Sequence, residues 1–243
     1  MDPVIRSLYE RKSVRVFTGE KISEEHVRVI AQAAAQAPTA GNQQLYTMIR
    51  VTDPDKKHAL SISCDHQPFI EEADLVLVFC ADCLRWYRAY EEAGIEPRKP
   101  GEGDLMIAVS DALIAAQNAV TAAQALGIGS CYIGDILENA EVQKKILGLP
   151  AYVFPAAMVV FGYPTDQQKE RPKPARLDLD FVLQENTYHE HTGEELRKMF
   201  EGRTGVMTYE AWMKAFYERK YNSDFAREMT RSVRKLLEDY REG

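Results

Sequence analysis

Apolar residues recur at helical spacing early in the chain and then give way to short continuous apolar runs. The helical spacing predicts a helix over about 23–36, which Ser23 caps and Pro38 ends. The apolar runs predict strands over 45–51 and 75–80, and the second run suits a central strand buried on both faces. The apolar positions with helical spacing are Val27, Ile30, Ala31 and Ala34.

The longest apolar stretch, 105–126, predicts a helix over 104–126 that is apolar nearly all round and must be covered on most sides. Because it contains Asp111 and several amides, it favours a buried soluble helix over a membrane span. Small side chains allow close packing, so the helix is either a central core helix or one that also packs against its copy in a dimer. Its eight alanines are Ala108, Ala112, Ala115, Ala116, Ala119, Ala122, Ala123 and Ala125.

Further along the chain, the glycine-rich stretch 127–134 predicts the end of that helix, followed by a short strand or loop. Apolar positions predict a helix through 142–147, which Gly148 ends, and a strand over 155–163. A connection rich in proline and charge, 165–178, follows.

The C-terminal part returns to amphipathic helices, with apolar faces over 212–217 and 225–240. This order of elements predicts one mixed α and β domain over 1–243. Within it, 84–103 is predicted to be a mobile excursion near the active site, a short helix and then a loop, and 193–243 a helical extension.

Composition and charge narrow the class of protein. The chain has 243 residues, 45% of them hydrophobic and 28% charged, as in ordinary globular proteins. A formal net charge of -7 disfavours a nucleic-acid binder. The N-terminal residues do not resemble a secretory signal, and the four cysteines are interpreted as reduced thiols, so a cytoplasmic location is expected.

The sequence lacks the motifs of several common enzyme classes. The spacing of Gly127, Gly129 and Gly134 is not that of a dinucleotide-binding turn, and the chain has no phosphate-binding P-loop, no serine-hydrolase elbow and no H-E-x-x-H. His189 and His191 lack a third ligand nearby in sequence and are interpreted as a solvated segment, so no metal site is predicted. The absence of an acid–base set favours chemistry carried by a cofactor.

A basic segment near the N-terminus is the strongest candidate for a binding site. Arg11, Lys12, Ser13 and Arg15 bring three cations and a hydroxyl into five residues, a set that suits a doubly charged phosphate. Taken alone, such a segment is more often an ordinary solvated turn. In register with 37–44 and the downstream run 173–176, it indicates a bound phosphorylated cofactor.

Taken together, these segments resemble the FMN-dependent nitroreductase family, and most closely the branch of larger NADPH-linked nitroreductases and flavin reductases. The match covers most of 1–190. It is carried by Arg11-x-Ser13-x-Arg15-x-Phe17, by 37–44, 127–134 and 161–164, by Lys173 and Arg176, and by 184–188. The resemblance implies an α+β fold whose central, mostly antiparallel sheet is wrapped by helices. It also implies an intertwined homodimer with two FMN sites at the subunit interface.

The resemblance also implies where FMN binds. Thr39 and Asn42 would approach the flavin from the partner subunit, Gln67 would bond near the ring, and the backbone of 130–133 would lie along it. The phosphate end would be held by Arg11, Lys12, Ser13, Arg15, Lys173 and Arg176. The residues along the ring would be Ser130, Cys131, Tyr132 and Ile133, with Cys131 directed into the core or altering the packing of the flavin.

The function that the resemblance implies is hydride transfer from NAD(P)H to nitroaromatic, quinone or flavin acceptors by a ping-pong mechanism. No side chain is expected to be catalytic, because the chemistry belongs to FMN. Tyr87, Tyr90 and Tyr188 are candidates to line the substrate pocket, and Arg203 to meet an NADPH phosphate. The alternatives are a flavin reductase with a dedicated substrate, such as a dehalogenase or an ene-type reductase, and a non-catalytic FMN-binding or storage protein.

Overall fold

A four-stranded sheet forms the centre of the molecule. A computed structural model describes residues 1–241. The strands are β1 (Tyr46–Arg50), β2 (Leu75–Asp82), β3 (Gly129–Ile133) and β4 (Val153–Gly162), in the order β1-β2-β4-β3, and each pair is antiparallel. The predicted central antiparallel sheet is therefore confirmed, and β2, buried at every position, is one of its two inner strands.

Helices make up most of the rest of the described chain. Those that precede β3 are α1 (Pro3–Glu10), α2 (Glu24–Ala35), α3 (Pro54–Ser63), α4 (Phe69–Glu72), α5 (Leu84–Glu92) and α6 (Glu102–Ala125). Those that follow are α7 (Ala140–Leu147), α8 (Asp166–Glu170), α9 (Gly193–Phe200), α10 (Tyr209–Lys220) and α11 (Asp224–Leu237). The helices predicted over 23–36, 104–126 and 142–147 are confirmed as α2, α6 and α7.

Both faces of the sheet are covered because alternate residues of β2 enter different apolar clusters. Leu75, Leu77 and Phe79 pack with α2 and the alanines of α6, whereas Val76, Val78 and Cys80 pack with α3 and α4. The alanines let α6 lie close to the strands, as predicted from the sequence.

Helix α6 is long and apolar enough to cross a membrane by length and composition, the one such helix within the described residues 1–241. Its packing accounts for this composition, since α6 covers the sheet and 44% of its most apolar stretch is buried inside the chain. Its buried carboxylate, Asp111, is fully engaged in hydrogen bonds with the loop before β1.

Four helices were not predicted, namely α1, α3, α4 and α8. Helix α1 begins at Pro3, capped by the side chain of Asp2, and none of its residues is buried in the single chain. Helix α8 lies inside the connection predicted to be irregular. Both are short, and a short amphipathic segment gives little periodic signal.

The chain divides into two compact units. The first, the sheet unit, comprises Met1–Pro172 and the C-terminal residues from Glu228 onward, and contains the sheet and the clusters described above. The second, the helical unit, comprises Lys173–Arg227 and contains α9 and α10. No residue of the helical unit is fully buried in the single chain.

Candidate active site

The basic segment 11–17 lies along the free edge of β3. Ser13 forms an isolated bridge with Ser130, and the Val14 backbone N–H donates to the Ser130 carbonyl at 2.9 Å. The Thr18 N–H donates to the Tyr163 carbonyl at 2.9 Å. These backbone bonds extend the sheet by one irregular strand, so the predicted phosphate-binding residues are carried on a rigid edge.

Two glycines that face each other across β3 and β4 admit this segment. Gly129 pairs with Gly162; an added Cβ on Gly129 would lie 2.7 Å from Val14, and one on Gly162 would lie 2.6 Å from Phe17. Both distances are far inside van der Waals contact. The missing side chain of Gly129 therefore makes room for the chain itself.

The residues around α8 hold the basic segment from the other side. The Lys12 ammonium donates to the Lys169 carbonyl at 2.6 Å and to the Arg171 carbonyl, and Arg171 donates to the Ser13 carbonyl at 2.6 Å. The Nε atom of Arg171 is buried and, within residues 1–241, has no hydrogen-bond partner. Sequence reasoning missed Arg171, although the basic, proline-rich run that supplied Lys173 and Arg176 also contains it.

Strand β3 supplies the floor beneath these cations. Ser130, Cys131 and Ile133 are buried, and Cys131 packs in the core, which is the first of its two predicted orientations. Burial raises the pKa of the Cys131 thiol, while the nearby charges of Arg15 and Arg11 act in the opposite direction. The two guanidinium groups therefore lie close to this strand.

Tyr132 links the basic segment to α6. The Arg11 guanidinium lies 5.8 Å from the centre of the Tyr132 ring, and the Tyr132 hydroxyl donates to Gln117 at 3.4 Å. Burial raises the pKa of Tyr132 to about 12, so the hydroxyl stays protonated at neutral pH. A neutral ring beneath a cation is a stable arrangement.

The turn that contains Gln67 reaches the same region. The Gln67 backbone N–H donates to Ser61 and its side-chain amide donates to the Cys64 carbonyl, both at 2.9 Å. Two residues further on, the Phe69 ring lies 5.9 Å from the Arg15 guanidinium. One chain therefore gathers the turn of Gln67, the basic segment and β3.

Thr39 and Asn42 lie elsewhere in the sheet unit, in the loop before β1. The sheet order places β1 and β3 at opposite edges, so a single chain does not bring this loop to the basic segment. The Thr39 hydroxyl donates to Asp111, which also accepts the N–H groups of Ala40 at 3.0 Å and Leu45 at 3.2 Å. Asp111 is 3% exposed and fixes the loop, a role that sequence reasoning missed.

An aromatic cavity of about 280 Å³ lies beside this loop. Tyr87 and Tyr90 line it, as does Trp86, whose indole N–H donates to the Gln43 carbonyl at 2.8 Å. Arg98 and Asp104 close one side through an ion pair at 2.6 Å. The predicted excursion thus contributes a helix, α5, to the wall of a cavity, and two of the three candidate tyrosines share it.

The remaining predicted residues belong to the helical unit. Arg176 is exposed and donates to the Pro174 carbonyl at 3.0 Å, Tyr188 is 85% exposed, and Lys173 and Arg203 lie in the same unit. Arg197, upstream of Arg203, is already paired with Glu210 at 2.6 Å.

Cys80 and Cys83, which have C-x-x-C spacing, lie in the core and form no disulfide with each other. All four are buried free thiols, as predicted. Burial raises the pKa of Cys80 and of Cys83 to about 12, so neither forms a thiolate at neutral pH.

Comparisons with known proteins agree with this geometry. The model of the nitroreductase family matches residues 8–163. The FMN reductase (NADPH) of Bacillus subtilis (strain 168) is 32% identical over 224 residues, which cover 91% of this chain and 86% of that protein. The oxygen-insensitive NADPH nitroreductase of Salmonella typhimurium is 32% identical over 188 residues, 77% of this chain and 75% of that protein. A structure of the NADPH:FMN oxidoreductase from Vibrio harveyi complexed with NAD+ superposes with a TM-score of 0.83 at 25% identity, covering 97% of this chain and 98% of that chain.

Proposed function

The chain belongs to the nitroreductase family, and from that premise we propose that it is an FMN-dependent oxidoreductase that transfers hydride from NAD(P)H to nitroaromatic, quinone or flavin acceptors. The observation that carries the proposal is the basic segment fixed on the edge of β3, with Arg11, Arg15 and Arg171 around it. A cytoplasmic location goes with this activity, since NAD(P)H is the electron donor.

The sheet unit fits the phosphate end of FMN. A buried guanidinium N–H without an acceptor costs free energy, and an oxygen of a bound phosphate would satisfy the Nε atom of Arg171. Arg11, Ser13 and Arg15 would supply further donors, as the sequence predicts. Lys12 would act differently, because its ammonium already donates to backbone carbonyls and so braces the segment.

Bound FMN supplies the hydride chemistry through its isoalloxazine ring, so the chain needs no acid or base of its own. The residues of this chain would bind and orient FMN and the reactants and exclude water from them. The backbone of 130–133 and the amide of Gln67 would position the ring, and Lys173 and Arg176 would add charge at the phosphate. NAD(P)H and the acceptor would use the cleft in turn.

The aromatic cavity suits the acceptor. A volume of about 280 Å³ is close to the lower limit of small-ligand sites, and stacking surfaces favour planar rings. We assign Tyr87 and Tyr90 to this pocket together with Trp86, which sequence reasoning did not single out as a pocket residue.

A homodimer would complete the site. Helices α1 and α6 expose apolar side chains that the single chain leaves uncovered, and the loop of Thr39 and Asn42 lies far from the basic segment of its own chain. Packing α1 and α6 against a second copy would cover the apolar residues and bring that loop to the partner's flavin. The exposed residues are Val4, Ile5, Leu8, Tyr9, Met106, Ile107, Leu113 and Ile114.

Anaerobic reduction of the purified protein tests the proposed activity. The protein should be yellow, and stopped-flow mixing with NADPH or NADH should bleach it within one turnover, after which nitroaromatics, quinones or free flavin should restore the colour. A protein that stays colourless after reconstitution with FMN contradicts the proposal, and a yellow protein that neither nicotinamide bleaches indicates binding without turnover.

A pair of arginine variants tests the site itself. Arg15→Ala should weaken FMN retention by roughly tenfold to a hundredfold, because it removes a charge-assisted phosphate contact. Arg28→Ala changes an exposed arginine of α2 and should leave the flavin content unchanged. Equal flavin content in the two variants would remove Arg15 from the phosphate site.

A further inference from the structure

A cluster of metal-binding side chains lies in the helical unit and shares no residue with the proposed flavin site. His189, His191 and Glu195 each offer a ligand atom, and these atoms lie within 4.8 Å of one another. We propose that they bind a divalent transition-metal ion, Zn²⁺ being the best match, as a structural site of the helical unit. The third ligand that sequence reasoning did not find is Glu195, which the first turn of α9 brings beside the two rings.

The ring of His191 is prepared for a metal. Its Nε2 atom lies 3.1 Å from the Phe181 carbonyl, so the N–H at that position donates to it. The Nδ1 atom is buried and has no hydrogen-bond partner in the part of the chain that the structure describes. A ring held in this tautomer presents an open lone pair, and a backbone carbonyl is a common partner for the other nitrogen of a metal-binding histidine.

The other two ligands are also held in place. Gln184 accepts from the His189 N–H at 2.8 Å and donates to the His189 carbonyl at 2.9 Å. One oxygen of Glu195 accepts the N–H and the hydroxyl of Thr192 at 2.7 Å and 3.0 Å, in the capping box of α9. The Nε2 atom of His189 lies 3.2 Å from this oxygen and 3.4 Å from the other, and the other is the one that Thr192 leaves to a metal.

The donor set indicates which ion binds. Two imidazoles and one carboxylate are typical ligands of Zn²⁺, and a water molecule completes the tetrahedron. Ligands at about 2.1 Å from a shared Zn²⁺ lie about 3.4 Å apart. The ligand atoms would have to approach one another by at most about 1.4 Å, and the side chains of His189 and Glu195 can move this far because they are partly exposed.

A metal at this position would compensate for a missing core. No residue of the helical unit is fully buried in the single chain. The three ligands join the loop at 189–192 to the start of α9, and the hydrogen bond from His191 to Phe181 adds the turn at 179–181. Small units that lack a core often gain their stability from such a site.

Zinc titration of the full-length, chelator-treated protein tests the proposal. Isothermal titration with ZnCl₂ should show one equivalent bound per chain, and Co²⁺ should give visible absorption of a four-coordinate site. His191→Gln and Glu195→Gln should each weaken Zn²⁺ binding by at least about tenfold, the loss that changes among outer partners alone can cause. Glutamine at 195 can keep the capping box, so this variant keeps its fold.

The matched control is His58→Gln, in the sheet unit. His58 lies 2.6 Å from Glu71, and residues 1–241 offer this pair no third ligand, so the loss of His58 should leave Zn²⁺ binding unchanged. Zn²⁺, but not Ca²⁺, should also slow proteolysis within 173–227 of the wild type. Flavin content and bleaching should be the same in all these variants, which separates this test from that of the flavin site.

Three results would overturn the proposal. They are the absence of stoichiometric Zn²⁺ binding, binding that survives unchanged in both His191→Gln and Glu195→Gln, and binding that His58→Gln weakens as much as they do.

Discussion

The sheet unit and the helical unit are built from similar amphipathic helices but are stabilised in different ways. In the sheet unit, helices cover both faces of strands whose side chains are removed from water, as at Phe79. In the helical unit, ring contacts, caps and surface ion pairs join the helices, as in the tilted rings of Phe200 in α9 and Trp212 in α10, whose centres lie 5.8 Å apart. A given change should therefore cost much more free energy in the first unit than in the second.

One phenylalanine truncation in each unit tests this difference in stability with the largest expected effect. Phe79→Ala should lower the free energy of unfolding by about 3–5 kcal/mol, because Phe79 is 0% exposed and its loss leaves a cavity. Phe216→Ala, at a side chain that is 38% exposed, should cost about 1 kcal/mol. Urea unfolding measures both, and equal losses would show that burial does not distinguish the units.

Substitution of Asp111 tests whether one buried polar side chain of the sheet unit contributes as much to the free energy of unfolding as a buried apolar one. In Asp111→Asn, an amide NH₂ replaces an oxygen that accepts from Thr39 and Leu45, which should cost about 3 kcal/mol. The neighbouring Ser110→Ala removes an exposed hydroxyl that bonds only to its own helix, and should be nearly neutral. Hydrogen exchange at the Leu45 amide should rise in the first variant alone; equal exchange in both would remove Asp111 as the anchor of the loop.

The paired glycines test how tightly the basic segment is fitted to the sheet. Gly129→Ala should lower stability by about 2 kcal/mol, since the new methyl group overlaps Val14, and it should also weaken FMN retention. Gly134→Ala is the control, because a Cβ there meets nothing within 4 Å. If Gly129→Ala retains FMN and stability as well as Gly134→Ala does, the close fit is not what holds the segment.

Glu138 is a buried group of the sheet unit that lowers the stability of the folded state when it ionises. Burial, aided by the carboxylates of Asp135, Asp65 and Glu228, raises its pKa from 4.5 to about 7. Between these values the folded state holds a proton that the unfolded state has lost, so stability falls as the pH rises from about 4.5 to about 7.

Glu138→Gln should remove this penalty. The variant should be more stable than the wild type by about 1 kcal/mol above pH 7, after allowance for screening, and equal to it below about pH 4.5. Glu141→Gln should show the opposite sign, because Arg231 lowers the pKa of Glu141 to about 2. Parallel pH profiles of the two variants in thermal unfolding would contradict the assignment.

Much of the fold of the sheet unit could be predicted because buried elements need apolar residues, either in continuous runs or at helical spacing. The run 75–80 and the alanines of α6 carry that pattern, and both elements lie where it places them. Helices α1 and α8 bury little in the single chain and left no comparable signal.

The candidate site could be predicted only in part. The basic residues at 11–15 are recognisable because charge is visible in a sequence. The roles of Asp111, Gly129 and Arg171 depend on partners that lie far away along the chain: Thr39, Val14 and Ser13. A single sequence does not show which distant residues pair. It shows a lone charged residue in an apolar helix or a glycine in a strand, without the partner.

The fit between the paired glycines and the basic segment also sets an order of events during synthesis. The recesses above Gly129 and Gly162 exist only after β3 has paired with β4, whereas Val14 and Phe17 leave the ribosome long before either strand. The basic segment therefore stays undocked until β3 and β4 have been synthesised and have paired. The phosphate site that we propose on this segment would therefore form only after β4 has been made.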